Sequence, residues 1–120
     1  MKGGVSMKDT EEISKLYEGV NGQIELLYSR IEITRRGAKA FLCHGFDGTK
    51  TIFLRNLTAI QFKEAGSVTN GYIQFIFPGS EEDKGGFFSA ARDENTVFFN
   101  KAQQPAFEDL KGRIVTRLDF

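Results

Sequence analysis

The chain has 120 residues, with 16 basic and 16 acidic side chains, 12 Phe, no Trp, one Cys and one His. That length is one domain's worth, enough to bury a core without disulfides or metal, and a net charge of zero gives no global electrostatic case for a polyanion or an anionic membrane. A single cysteine excludes an intramolecular disulfide framework and suits a reducing, cytoplasmic compartment; no stretch approaches the roughly 20 apolar residues of a transmembrane helix. The N-terminus has no apolar run behind its lysine and is no signal peptide.

In chain order, residues 1–7 form a glycine-containing leader with little to pack. Asp9 and Thr10 offer N-cap oxygens, and Glu11 and Glu12 follow where a helix dipole favours negative charge. Ile13, Leu16, Tyr17 and Val20 then fall at helical spacing, with Gly19 as a stop, so a short amphipathic helix is expected over residues 10–18. Such a helix is too short to stand alone and must dock on its own domain or on a second copy. Ile24, Leu26, Ile31 and Ile33 next alternate with polar neighbours around a corner at Tyr28 and Ser29, which reads as a hairpin. Residues 37–48, bracketed by glycines, read as a loop holding a strand or a helical turn.

The densest apolar stretch runs from Lys50 to Phe77 and reads as three strands. Ile52 and Leu54 share one strand face (residues 51–55), Ile60 and Phe62 a second, and Ile73, Phe75 and Phe77 a third. Phe53 and Ile76 break the alternation, so parts of the second face are expected to be covered too. Asn70-Gly71 is a tight-hairpin signal, since it supplies positive φ angles. An acidic, glycine-bounded loop follows over residues 78–86, then strands over residues 87–91 and 96–99 that turn at residues 92–95. Phe107, Leu110, Ile114, Val115 and Leu118 finally form one apolar helical stripe. Pro105 suits its first turn, Glu108 and Asp109 lie early, and Arg113 and Arg117 lie late. Gly112 in its middle points to a close approach to the sheet.

These residues carry a resemblance. The runs GQIELLYSRIEITRRGAKAFL, GTKTIFLRNLTAIQFKEAG, TNGYIQFIFPG and DENTVFFNKAQQ are together similar to an uncharacterised bacterial family of pleckstrin-homology-like domains, over residues 22–118. The most specific run is LTAIQFKEAGSVTNGYIQF. The resemblance implies a mainly β fold: a PH-like barrel of about seven antiparallel strands capped by the C-terminal helix. With the short N-terminal helix in residues 1–21, the PH-like domain occupies residues 22–120. Family members often carry a short helical SHOCT segment near the C-terminus. This sequence reaches Phe120 without one, which implies a stand-alone version, phage or prophage encoded.

No constellation of catalytic residues emerges. Gly45 to Lys50 superficially matches a phosphate loop, but Lys follows Thr and a strand comes next, so it reads as a glycine turn. Cys43 and His44 are adjacent and on extended backbone point to opposite faces, and no further zinc ligands stand at ligand spacing. Glu81, Glu82 and Asp83 read as a solvated loop tip, and Asn56-Leu57-Thr58 as a chance sequon. The expectation is a non-enzymatic domain with no cofactor and no metal.

Arg30, Arg35, Arg36, Lys39 and Lys50 gather around Phe41, Leu42 and Phe46, with Glu25, Glu32 and Asp47 close enough to neutralise them. The leading expectation is a binding or scaffold module acting through protein contacts and forming a homo-oligomer, a dimer ahead of a ring. Its partner is not named by the sequence. Ile13, Leu16 and Tyr17 would make the oligomer contact. Arg35, Arg36, Lys39, Phe41 and Lys50 would touch a ligand or partner. The second expectation is a peripheral binder of anionic lipid using the basic segment of residues 30–50; nucleic acid is not expected.

Overall fold

The computed structural model describes residues 14–35, 48–80 and 94–118. The fold is mainly β, with two antiparallel sheets and one C-terminal helix. The first sheet is a meander of β1 (Lys15–Glu18), β2 (Gly22–Leu26), β3 (Arg30–Arg35) and β4 (Thr49–Phe53). The second is a meander of β5 (Ala59–Lys63), β6 (Gly71–Ile76) and β7 (Thr96–Phe99). Helix α1 (Gln104–Leu118) closes the chain.

Period-two alternation builds the first sheet. Ile24 and Leu26 on β2 and Ile31 and Ile33 on β3 are all buried, and each Ile or Leu of one strand stands opposite an Ile of the other. The corner at Tyr28 and Ser29 is a tight turn, closed by the Leu27 amide donating to the Arg30 carbonyl at 2.9 Å. The fourth strand starts at Thr49 and ends at Phe53, earlier than the expected residues 51–55. Leu54 is still buried, but from a 3-10 turn (Leu54–Asn56). That turn interrupts the hydrogen-bonding ladder, so β5 begins a second sheet. The two sheets therefore do not close into the expected barrel.

The N-terminal helix is not present among the described residues: Ile13 and the residues before it lie outside them, and residues 15–18 form β1. The spacing of Leu16 and Tyr17 fits one turn of a helix, yet pairing with β2 imposes a period of two. Tyr17 therefore points into the core at 2% exposure while Leu16 faces out at 49%. Gly19 is not a helix stop. A Cβ there would sit 2.4 Å from the Phe98 carbonyl oxygen, so only glycine lets the β1–β2 turn lie against β7.

The second sheet also departs from expectation at Asn70-Gly71. Residues 64–70 separate β5 from β6, too long a connection for a two-residue hairpin, and Gly71 is already the first residue of β6. Glycine is required there by crowding: a Cβ would meet the Lys63 carbonyl oxygen at 2.2 Å. Among the described glycines, Gly79 alone has a positive φ, 97°. Both faces of this sheet are covered along β6 and β7, as the broken alternation suggested. Ile73, Phe75, Val97 and Phe99 join the main core, and Tyr72 and Phe98 form a separate buried pair. Phe53 itself remains 40% exposed. The strand expected over residues 87–91 lies outside the described residues.

Helix α1 begins with a reciprocal cap. The Asn100 side chain accepts the Gln103 amide and the Gln103 side chain accepts the Asn100 amide, both at 2.9 Å, which satisfies two donors at the helix start. Phe107, Leu110 and Ile114 are fully buried. Phe107 stacks on Phe99 with ring centroids 4.9 Å apart, and Phe99 in turn meets Phe62 at 5.3 Å. The expected stripe is narrower than its apolar residues: Val115 and Leu118 stay 45% and 43% exposed at its flank. Gly112 does not approach the sheet, since a Cβ there would meet nothing within 4 Å. It costs about 1 kcal/mol against Ala in a helix, with no internal packing reason.

Candidate functional site

Two features of the surface are built by the meeting of α1 with the sheets. The larger is a trough between α1 and β5. Its wider part, about 560 Å³, is lined by Leu57, Thr58, Ala59 and Ile60 on one side and Lys111, Val115 and Leu118 on the other. A second part of about 370 Å³ adds Phe62, Glu64, Glu108 and Gly112, again beside Lys111 and Val115. The helix thus runs antiparallel to β5, with its C-terminal half over Leu57 to Ile60 and its N-terminal half over Phe62. Lys111 holds its ammonium 5.3 Å from the Phe62 ring centroid, so its stem lies along apolar surface.

The floor of this trough is an edge strand, because β5 stands at the end of its sheet. The Phe75 amide bonds to the Asn95 carbonyl, so the backbone groups of Phe75 and of alternate residues along β6 face β7. Those of Tyr72, Gln74 and Ile76 therefore face β5, opposite Lys63, Gln61 and Ala59. By the same alternation the N–H and C=O groups of Ile60 and Phe62 point away from the sheet. Among the described residues no backbone hydrogen bond joins this outer edge to another element. A half-apolar trough beside a strand edge that is unpaired among the described residues can accept an extended segment through main-chain hydrogen bonds.

The second feature is a charged clasp between α1 and β1. Asp109 Oδ2 accepts from the Tyr17 hydroxyl at 2.8 Å, from Arg113 Nε at 2.8 Å and from Lys15 Nζ at 3.3 Å. The Arg113 hydrogen bond, followed by that of Tyr17, lowers the Asp109 carboxyl to about 2. Burial first, then the hydrogen bond to the carboxylate, pushes the Tyr17 phenol well above its ordinary range. Asp109 raises the Arg113 guanidinium in return. At the far end of α1, Arg117 donates to the backbone oxygens of Leu27 and Tyr28 and lies over the Tyr28 ring. The helix is therefore tied to the first sheet near its middle and at its C-terminal end.

The residues singled out from the sequence fall elsewhere. Lys50, on β4, donates to Glu94 at 2.8 Å and lies over the Phe77 ring. Arg30 pairs with Glu32 at 3.0 Å, as the neutralising balance implied, whereas Glu25 accepts from the Ser14 hydroxyl. Arg35 ends β3 and is half-buried. Arg36, Lys39, Phe41, Leu42, Cys43, His44, Phe46 and Asp47 lie outside the described residues, as do Glu81, Glu82 and Asp83. Of the proposed oligomer contacts, Tyr17 is in the core and facing Asp109, Leu16 is exposed, and Ile13 lies outside the described residues. Of the trough residues, Ile60 and Phe62 were expected on a strand face and Val115 and Leu118 in the helical stripe, none of them as a site. Nothing in the alternating run of β5 distinguishes an edge strand from a central one.

Residues 28–115 match the family model described as "Domain of unknown function (DUF4429)", and the chain belongs to that family. No curated protein and no solved structure matches the chain. Among the described residues no helix is long and apolar enough to cross a membrane.

Proposed function

We propose that this family member is a non-catalytic, PH-like binding module that works by protein–protein contact, taking an extended segment of its partner into the trough between β5 and α1. The observation that carries the reading is the outer edge of β5. Its main-chain groups at Ile60 and Phe62 lie beside exposed Val115 and Leu118, so backbone pairing and apolar contact are offered together. The succession of four strands, three strands and one C-terminal helix supports the pleckstrin-like relationship. Binding of anionic lipid by the basic segment draws less support, because Lys50 and Arg30 already meet carboxylates.

A random-peptide display library panned on the full chain tests the proposal, with each selected peptide then followed by amide NMR. Selected peptides should perturb the Ile60 and Phe62 amides, and Leu118→Glu should weaken them at least tenfold, a difference of about 1.4 kcal/mol. Peptides that leave those amides unmoved would sink the trough as the site. Salt-sensitive sedimentation with anionic vesicles, lost in Arg35→Glu, would favour the lipid reading.

A further inference from the structure

Charge along the β5–α1 trough is ordered. Its smaller part, beside Phe62, has a carboxylate on each wall: Glu64 just past β5 and Glu108 on α1, both exposed. Glu108 accepts from the neutral Gln104 side chain at 2.8 Å and, among the described residues, meets no cation. Lys111 lines both parts of the trough. Its ammonium stands over the Phe62 ring, and among the described residues it enters no ion pair, not even with Glu108 one turn earlier. Past Lys111 the larger part is lined by no other charged side chain, and Ile60 faces Val115 and Leu118 there. The trough thus runs from acidic through basic to apolar.

A strand added to the β5 edge has its register set by the backbone. Ile60 and Phe62 turn their main-chain groups outward and their side chains into the trough. An added antiparallel strand therefore makes its hydrogen-bonded pairs with these two residues, and its own side chains in those pairs also face the trough. Three such positions follow, each two residues after the last. The first lies opposite Glu64, the second opposite Phe62 and beside the Lys111 ammonium, and the third opposite Ile60, toward Val115 and Leu118. The helix wall gives the same spacing. From Glu108 to midway between Val115 and Leu118 is about 13 Å of helix, and four residues of strand cover about 13.5 Å.

We propose that the partner segment taken by the trough carries a charge-ordered motif read antiparallel to β5: a basic residue, an acidic residue two positions on, and a large apolar residue two further on. This rests on the reading of the trough as a peptide site and adds the chemistry of its occupant. The basic side chain lies between Glu64 and Glu108, the carboxylate meets Lys111, and the apolar side chain covers Ile60, Val115 and Leu118. Opposite charges facing across a strand pair stabilise it, and like charges destabilise it. The order also sets direction. Laid parallel to β5, the same segment would put its apolar residue between two carboxylates and its base among apolar side chains.

The test pans the full chain with a random-peptide display library and keeps the peptides that move the Ile60 and Phe62 amides in NMR spectra. Those peptides should share the basic, acidic, apolar order at alternate positions. Lys111→Glu changes an exposed side chain and should leave the thermal transition where it is. It should weaken the selected peptides about fivefold, since an exposed attraction becomes a repulsion. Exchanging the acid of a selected peptide for lysine should weaken its binding to wild type and restore binding to Lys111→Glu. That rescue separates charge reading from damage to the fold. Peptides that move the two amides but lack the order, or that bind Lys111→Glu unchanged, overturn this inference and leave the trough as a peptide site. A library from which no peptide moves those amides sinks the trough itself and the motif with it.

Discussion

At the β7 edge of the three-stranded sheet, the Phe98 amide donates to the Asn21 side chain at 2.8 Å and its carbonyl accepts the Val20 amide at 2.7 Å. At the β5 edge, the corresponding groups of Ile60 and Phe62 meet no other element among the described residues. The two edges have the same backbone chemistry and differ in what the rest of the chain brings to them. The β1–β2 turn reaches β7 because Gly19 permits contact with the Phe98 carbonyl, whereas α1 stops beside β5 and leaves a trough. An exposed edge is a template for pairing that proteins ordinarily blunt. Among the described residues one edge is capped by a dedicated turn and the other lies next to apolar side chains, which is why the proposed binding site is placed on β5.

The comparison is broken most severely at Gly19. Gly19→Val forces a branched side chain against the Phe98 carbonyl oxygen and Val97, and a loss of about 3 kcal/mol is expected from overpacking. Denaturant unfolding measures it, and a loss below about 1 kcal/mol would mean that the turn is not held against β7. Asn21→Ala removes only the side-chain acceptor of the Phe98 amide. About 1.5 kcal/mol should go, the usual range for leaving a partly buried donor without its acceptor.

The smallest change in stability concerns the clasp that holds α1 in place. Asp109→Asn keeps an acceptor for Tyr17 but gives up the charge facing Arg113 and Lys15. At more than a third exposed, such pairs are screened, so the loss at neutral pH is about 0.5–1 kcal/mol. Because the folded Asp109 carboxyl lies below its ordinary value, its contribution is complete above the unfolded carboxylate pKa of about 4 and is lost as pH falls toward about 2. Wild type and variant should therefore converge in stability over that window. A gap that persists to pH 2 would assign the effect to shape instead of charge.

Much of the framework was legible from local patterns. Ile24, Leu26, Ile31 and Ile33 alternate cleanly, and Phe107, Leu110 and Ile114 repeat at helical spacing, because each set packs on one continuous face. The failures came where local pattern is ambiguous or irrelevant. Leu16 and Tyr17 satisfy one helical turn, but only pairing with β2 decides that Tyr17 goes inward and Leu16 outward. Gly71 signalled a hairpin, while its real constraint is the Lys63 carbonyl, which no neighbour in sequence announces. Gly112 was read as a contact with the sheet, and the helix turns it the other way. The trough was invisible for a related reason. That β5 is an edge, and that Val115 and Leu118 overhang it, are properties of topology and not of the run Ala59 to Lys63.

Hydrogen exchange of individual backbone amides, followed by NMR on the isolated protein at monomeric concentration, tests the contrast between the two edges most directly. The account predicts that the Phe98 amide is strongly protected, near the level of global unfolding, because Asn21 holds it. The Ile60 and Phe62 amides should exchange orders of magnitude faster, although their side chains pack against the core. Protection of Ile60 and Phe62 equal to that of Phe98 would show that the β5 edge is already covered, and would contradict its role as the open binding edge.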